Sequence, residues 1–494
     1  MDSPEPGIEP SLEARAGRRI LVNTAFRAVA DLVSKFASIA LYIVMARRLG
    51  DASFGLFTFA FSLVTLVTTL GDLGQDSVLT REVARDRERV HGYFGDTLAL
   101  KLLLSVPALA ILLGALLAMD ASEQTRLAVT LIGSAVIAEL LMDTSFGVFQ
   151  AFERQSLTAL VLITQRTLTS TAGIVALSLG ADVVAVAGIY LAGAALALAM
   201  SVTLLVRRVI RVGFHPSPRR WGRLMRAAVP IGLASVFSTV LFRVDASMLA
   251  AFRSDAVVGN YGAAYRLLES TLFLSWSVGS AVYPVLSRLG RTGPSSAGLV
   301  YERSLKLLLS MTIPLAVGAV VLADGVIELL YGADFASAPD ALRLLAPTIA
   351  LFPISYLTGH LLVAQDRQLA ATVIYGMVAA ENVLLNLVLI PRYSLFGAAA
   401  GTSISQVIVV AALVWSTVGR TGPIRWGRAV AGPVVAGVVA GAAMFGLRGF
   451  GVVPAGLAGG IVYVGTLLGF ERAVFPSDLR SVRQMVRGSP WGRP

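Results

Sequence analysis

ARRLGDASFGLFTFAFSL (residues 46–63) returns as AAFRSDAVVGNYGAAYRL (residues 250–267) at a constant offset of 204. Ala46/Ala250, Asp51/Asp255, Ala52/Ala256, Gly55/Gly259, Ala60/Ala264 and Leu63/Leu267 are identical, and Phe57/Tyr261 and Phe61/Tyr265 keep an aromatic ring. Each copy is a short charged turn between two apolar runs, and about 20 apolar residues of helix suffice to cross a hydrocarbon core about 30 Å thick. The first copy joins the first run to the second; the other joins the seventh to the eighth. The repeating unit is therefore six helices. Six is even, so the copies share an orientation, as in the parallel halves of some secondary transporters, whose substrate site lies at the repeat interface. The competing explanation is chance likeness between two turns rich in Ala and Gly.

Composition supports the same class. Of 494 residues 56% are hydrophobic and 14% charged, and the mean hydropathy is +0.75, as expected of an all-α integral membrane protein. Apolar windows bounded by charge or Gly/Pro turns give about fourteen transmembrane helices, near 20–46, 53–75, 96–118, 127–150, 157–179, 182–206, 227–252, 259–287, 304–323, 341–363, 370–390, 396–416, 428–447 and 453–471. The expected organisation is a disordered tail (1–19), an N-lobe of six spans (20–206), a linker (207–226), a C-lobe of six spans (227–416), an appended pair (428–471) and a basic tail (472–494). The two parallel six-helix lobes are expected around a central cavity.

Basic residues alternate from loop to loop, with Arg15, Arg18 and Arg19, the Arg81–Arg89 cluster, Arg154 and the seven from Arg207 to Arg226 among those on one side. That side holds roughly four times as many as the other, which places both termini in the cytoplasm of a multi-pass cell-membrane protein. The basic loops account for most of the net charge of +11 and lack aromatic interleaving, so nucleic acid is not an expected partner. The chain has no cysteine.

The spans hold charges. Asn23, Arg27, Asp31 and Lys35 repeat at intervals of four along the first, making one stripe on a helix with Asp31 near the midplane. Across the other spans lie Lys101, Arg166, Arg243 and Arg266 against Glu139, Asp143, Asp245, Glu269 and Glu381. An ionisable side chain at the centre of a spanning helix costs about 2.5–3.5 kcal/mol on insertion scales, so this set belongs in an interior or watery space. Internal ion pairs that fix packing are one use for it and a ligand site is another. Glu139 and Asp143, like charges at i,i+4, suit either a proton or sodium site or structural hydrogen bonding. Asp31, Asp245, Glu269 and Glu381 are candidates for ion coupling or for gating by exchange of Arg partners.

The stretch ARRLGDASFGLFTFAFSLVTLVTTLGDLGQDSVLTREVAR (46–85), with VDASMLAAFRSDAVVGNYGAAYRL (244–267), LLYGADFASAPDALRLLAP (329–347) and LFGAAAGTSISQ (395–406), resembles prokaryotic polysaccharide and O-antigen flippases. These belong to the multidrug/oligosaccharidyl-lipid/polysaccharide exporter superfamily. The resemblance implies alternating-access transfer of a lipid-linked oligosaccharide from the inner to the outer leaflet. Membrane lipids would surround it, and glycan polymerase or ligase machinery would be its class of protein partner; an oligomer is not required. A pyrophosphate joining sugar to isoprenoid calls for guanidinium forks that stay charged in a dry site, which makes Arg27 and Arg266 the expected clamps, assisted by Arg243 and Lys35. No cofactor is expected, with coupling to H+, Na+ or the membrane potential left open.

Enzymatic readings find little support. No G-x-x-x-x-G-K-[ST] loop occurs, and His91, His215 and His360 are scattered without metal-ligand spacing. The alternative is a cation-coupled multidrug antiporter of the same superfamily, whose organic cations would prefer an acidic lumen to arginines.

Overall fold

The computed structural model describes residues 12–118, 121–210, 216–292, 294–418 and 424–475, with the side chains of 12–31 and of the residues beside 293 outside that description. Among the described residues there is no strand, and fifteen α-helices follow in order. They are α1 (Leu12–Thr68), α2 (Gln75–Arg85), α3 (Val90–Ala118), α4 (Glu123–Ala151), α5 (Gln155–Ser178), α6 (Val183–Arg208), α7 (Pro218–Phe252) and α8 (Asp255–Thr292). Then come α9 (Pro294–Val321), α10 (Ala323–Tyr331), α11 (Ala338–Ala364), α12 (Gln368–Tyr393), α13 (Leu395–Thr417), α14 (Trp426–Leu447) and α15 (Val452–Val474).

Twelve stretches are long and apolar enough to cross a membrane. Two physical details reconcile them with about fourteen spans. The first stretch, Leu32–Gly71, runs 40 residues and holds two expected spans broken at Gly50, where φ 74 and ψ −179 leave helical geometry. The eighth expected span is α8, whose buried polar and charged side chains lower its hydropathy although it is 38 residues long. Starts are capped where the chain supplies an oxygen: Ser122 Oγ accepts from Thr125 N at 3.2 Å and Asp182 Oδ1 from Ala185 N at 2.9 Å. Helix begins at Leu12, earlier than expected from the acidic, Pro-rich opening, while residues 1–11 and the basic tail from 476 lie outside the described residues.

One compact unit comprises residues up to 44 and 67–235. Leu79 and Val83 of α2, Val90 and Phe94 of α3, Phe149 of α4 and Leu205 of α6 form a core cluster within it. Part of the expected linker is helical here: α7 starts at Pro218, and Leu224 and Ala228 pack on Val78 and Leu100. Asp96 fastens that start, accepting from Ser217 N at 2.6 Å, Arg220 Nε at 2.6 Å and Trp221 Nε1 at 3.3 Å.

The other unit comprises residues 45–66 and 236–494. Its core joins Leu286 of α8, Leu305 and Leu309 of α9, Leu357 and Leu361 of α11 and Ala436 and Ala440 of α14. Small residues let α14 lie against α9, since a Cβ on Gly437 would sit 2.7 Å from Ile313 Cγ2. Lys306 of α9 pairs with Glu471 of α15, and Glu302 accepts from Arg425 N at 3.1 Å. The appended pair is thus fixed by packing and by charge.

The two copies of the repeated turn meet inside this unit, and they do so reciprocally. A Cβ on Gly55 would lie 1.8 Å from the Asp255 carbonyl oxygen, and one on Gly259 would lie 1.9 Å from the Asp51 carbonyl oxygen. Only hydrogen fits at either place. Asn260 completes the junction: its Nδ2 donates to Asp51 Oδ2 at 3.1 Å, and its Oδ1 accepts Ser337 N at 3.0 Å and Ala338 N at 3.1 Å, the opening amides of α11.

Candidate functional site: charged clusters inside the helix bundle

Arg243 on α7 and Arg266 on α8 converge on one carboxylate. Arg243 Nη2 lies 2.8 Å from Glu269 Oε1, and Arg266 Nη1 lies 2.8 Å from Glu269 Oε2. Both guanidinium carbons stand 5.3 Å from the centre of the Phe61 ring. Helical spacing explains half of the arrangement, because Arg266 and Glu269 are i,i+3. Aromatic stacking explains the rest: the negative face of Phe61 accepts both cations. The two Glu269 oxygens are each engaged by a different arginine.

Beside this cluster, Asp245 is 1% exposed and sits in a built polar nest. Its carboxylate accepts Asn386 Nδ2 at 2.5 Å, Tyr261 Oη at 3.0 Å and the Thr402 hydroxyl. The network continues from Asn386 to Asn382 at 3.1 Å, to Ser405 at 3.0 Å and on to Glu381 at 2.9 Å. A buried carboxylate is thereby joined through amides and hydroxyls to a half-buried one on α12. Among the described residues, buried Asn386 Oδ1 has no hydrogen-bond partner.

The unit of residues up to 44 and 67–235 has its own pairs. Lys101, fully buried, donates to Asp76 Oδ2 at 2.6 Å and to the Leu140 carbonyl at 2.8 Å. Glu139 takes Gln165 Nε2 at 2.6 Å, Tyr190 Oη at 3.1 Å and Arg166 Nη2 at 3.2 Å. Asp143, one turn along α4, is exposed. Glu139 is therefore an ion-paired hydrogen-bond hub, while the side chain of Asp143 is solvent-exposed.

Of the sequence-predicted set, Arg243, Arg266 and Glu269 come together, and Asp245 and Glu381 are linked by a chain of hydrogen bonds. Lys35 is half-buried. Arg27 and Asp31 lie outside the residues whose side chains are described. Sequence reasoning that counted only ionisable groups missed Phe61, Tyr261, Asn382, Asn386 and Thr402. A signal was present in ENVLLN (381–386), where two amides at i,i+4 interrupt an apolar helix.

Comparison with known proteins gives a consistent picture. The family model described as polysaccharide biosynthesis protein matches residues 20–290, and the MatE model matches residues 230–388. The probable low-salt glycan biosynthesis flippase Agl15 of Haloferax volcanii is 23% identical over 367 residues, covering 73% of this chain and 75% of its own. In fold the chain is similar to the lipid II flippase MurJ in an inward closed conformation, with TM-score 0.76 and 16% identity over 90% of this chain and 99% of that one. An inward-facing multidrug resistance MATE family transporter gives TM-score 0.66 and 17% identity over 80% and 98%. The chain belongs to the polysaccharide biosynthesis protein family, a multi-pass branch of the multidrug/oligosaccharidyl-lipid/polysaccharide exporter superfamily.

Proposed function

We propose that the protein is a flippase that moves an isoprenoid-pyrophosphate-linked oligosaccharide from the cytoplasmic to the outer leaflet of the cell membrane by alternating access. The observation that carries this reading is the convergence of Arg243 and Arg266 on Glu269 over the Phe61 ring. Two planar forks held at one point suit the oxygens of a pyrophosphate, and guanidinium stays ionised where an ammonium would lose its proton. Glu269 is the resident counter-ion. It keeps the two arginines together between cycles and gives way to the doubly charged substrate, so that two cations never stand unpaired in the protein. Arg27 and Lys35 are proposed as further phosphate contacts.

Asp245 supplies the coupling in this reading. Hydroxyl, amide and carboxylate oxygens around it suit a proton or a small hard cation. Asp245 lies two residues from Arg243 on α7 and is bonded through Tyr261 to α8, the helix of Arg266. A change of charge there is felt by both arms of the clamp. Both termini face the cytoplasm, and glycan polymerase or ligase machinery would take the product.

Deletion of the gene tests the reading. Extraction of isoprenoid-linked glycans followed by mass spectrometry should show one completed lipid-linked oligosaccharide accumulating, cleared when the intact protein is restored and not when Arg266→Ala is. An unchanged lipid pool together with new sensitivity to cationic drugs would favour the antiporter that the MatE match raises.

A further inference from the structure

Aromatic side chains form a ladder along α8 and α11 that neither the clamp nor the coupling site uses. On α11, Phe352, Tyr356 and His360 repeat at intervals of four, with ring centres 5.7 Å apart for the first pair and 4.4 Å for the second. Tyr283 of α8 meets His360 edge-on at 5.3 Å. Gly279 makes the crossing close, since a Cβ there would lie 2.4 Å from Tyr356 Cε1. Trp276 and Tyr283 stay 44% and 36% exposed.

Two features separate this ladder from ordinary packing. First, the hydroxyls of Tyr283 and Tyr356 have no hydrogen-bond partner among the described residues, and His360 directs Nδ1 to the Tyr356 carbonyl at 3.0 Å, leaving Nε2 free as an acceptor. Polar tips without partners are costly against hydrocarbon, so they belong beside water or a polar ligand. Second, the ladder shares a stripe with the clamp. Glu269, Trp276 and Tyr283 follow at intervals of seven on α8, which places the rings about 10 and 20 Å along the helix from the phosphate position.

We propose that this ladder is the glycan subsite, binding neutral pyranose rings of the substrate whose pyrophosphate sits between Arg243 and Arg266; it rests on the flippase reading. A pyranose offers a face of C–H groups and a rim of hydroxyls. The C–H face stacks on the negative face of an aromatic ring, and the rim finds the Tyr283 and Tyr356 hydroxyls and His360 Nε2. Stacking tolerates many sugars, while the polar tips select for hydroxyl position.

The test compares purified wild-type protein with Tyr283→Ala/Tyr356→Ala/His360→Ala, using undecaprenyl pyrophosphate and the same lipid carrying chitobiose as probes. Wild type should bind the sugar-bearing lipid about tenfold more tightly than the bare lipid, and the triple variant should bind both alike with bare-lipid affinity unchanged. Tyr283→Phe/Tyr356→Phe should keep the stacking part of the preference. A triple variant that retains the full sugar preference, a wild type that shows none, or a triple variant that loses the bare lipid as well would each overturn the subsite. The first is what an interfacial aromatic belt would give, and the last is what a purely structural ladder would give. Failure of wild type to bind either lipid would overturn the flippase reading along with it.

Discussion

Glu269 decides how the charged residues behave as a set. Bonded to both Arg243 and Arg266, it is the group whose removal leaves two like charges side by side in a protein interior. Breaking a buried pair from one side costs roughly 3–5 kcal/mol. Glu269→Gln should therefore lower thermal stability, and added pyrophosphate should restore much of it; a wild-type melting temperature that pyrophosphate does not raise would contradict the counter-ion role. Lys101 is a structural counterpart. Lys101→Met strands Asp76, whereas Lys101→Met with Asp76→Asn should recover most of the loss, which denaturation of the two variants would show. Asp245→Asn keeps the shape and hydrogen-bonding size of the side chain but removes its charge. It should leave folding intact and abolish the dependence of transport on pH or sodium, whichever gradient wild type uses. At this scale the sequence was legible where charge interrupts an apolar helix, as at Arg243, Arg266 and Asp245. It was silent where neutral groups complete the site, because Phe61, Asn386 and Thr402 look like common helix residues until distant segments meet.

Helices carry the next level of the account. All fourteen expected spans have a helical counterpart, since a run of about 20 apolar residues has few other ways to satisfy its backbone in a membrane. The short α2 and α10 were not expected. Each is too brief to span and is half polar or interrupted by charge, so neither stands out against the loops beside it. The early start of α7 was hidden for a related reason: Arg219, Arg220 and Arg223 read as a basic loop, while Asp96 that fastens it is far away in sequence. The repeated turn shows what identity at Gly55 and Gly259 is for. Each glycine admits the other copy's carbonyl, so Gly55→Leu should force residues 45–66 away from the start of α8. Thr58 is buried beside Gly262 and the chain has no cysteine of its own. Labelling of Thr58→Cys by an impermeant thiol reagent should speed up at least several-fold in the Gly55→Leu background. Unchanged labelling in a folded protein would show that the junction is not held by the absent side chains.

The molecule as a whole is a multi-pass membrane protein of the polysaccharide biosynthesis family, without strands among its described residues. The arginine clamp, the Asp245 nest with its hydrogen-bonded route to Glu381, and the aromatic ladder all lie in the unit of residues 45–66 and 236–494. That unit also holds the junction of the two repeated turns, so Arg266, one of the two proposed phosphate contacts, shares α8 with Gly259 and Asn260 of that junction. The central claim is that Arg243 and Arg266 grip a pyrophosphate during transfer between leaflets. It is tested most directly in proteoliposomes, by following how fast a chitobiosyl undecaprenyl pyrophosphate confined to one leaflet becomes accessible to an impermeant glycosidase on the other side. Wild-type protein should accelerate exposure at least tenfold over empty vesicles, and Arg243→Gln/Arg266→Gln should return it to the empty-vesicle rate while remaining folded. A double variant that moves the lipid as fast as wild type would contradict the account.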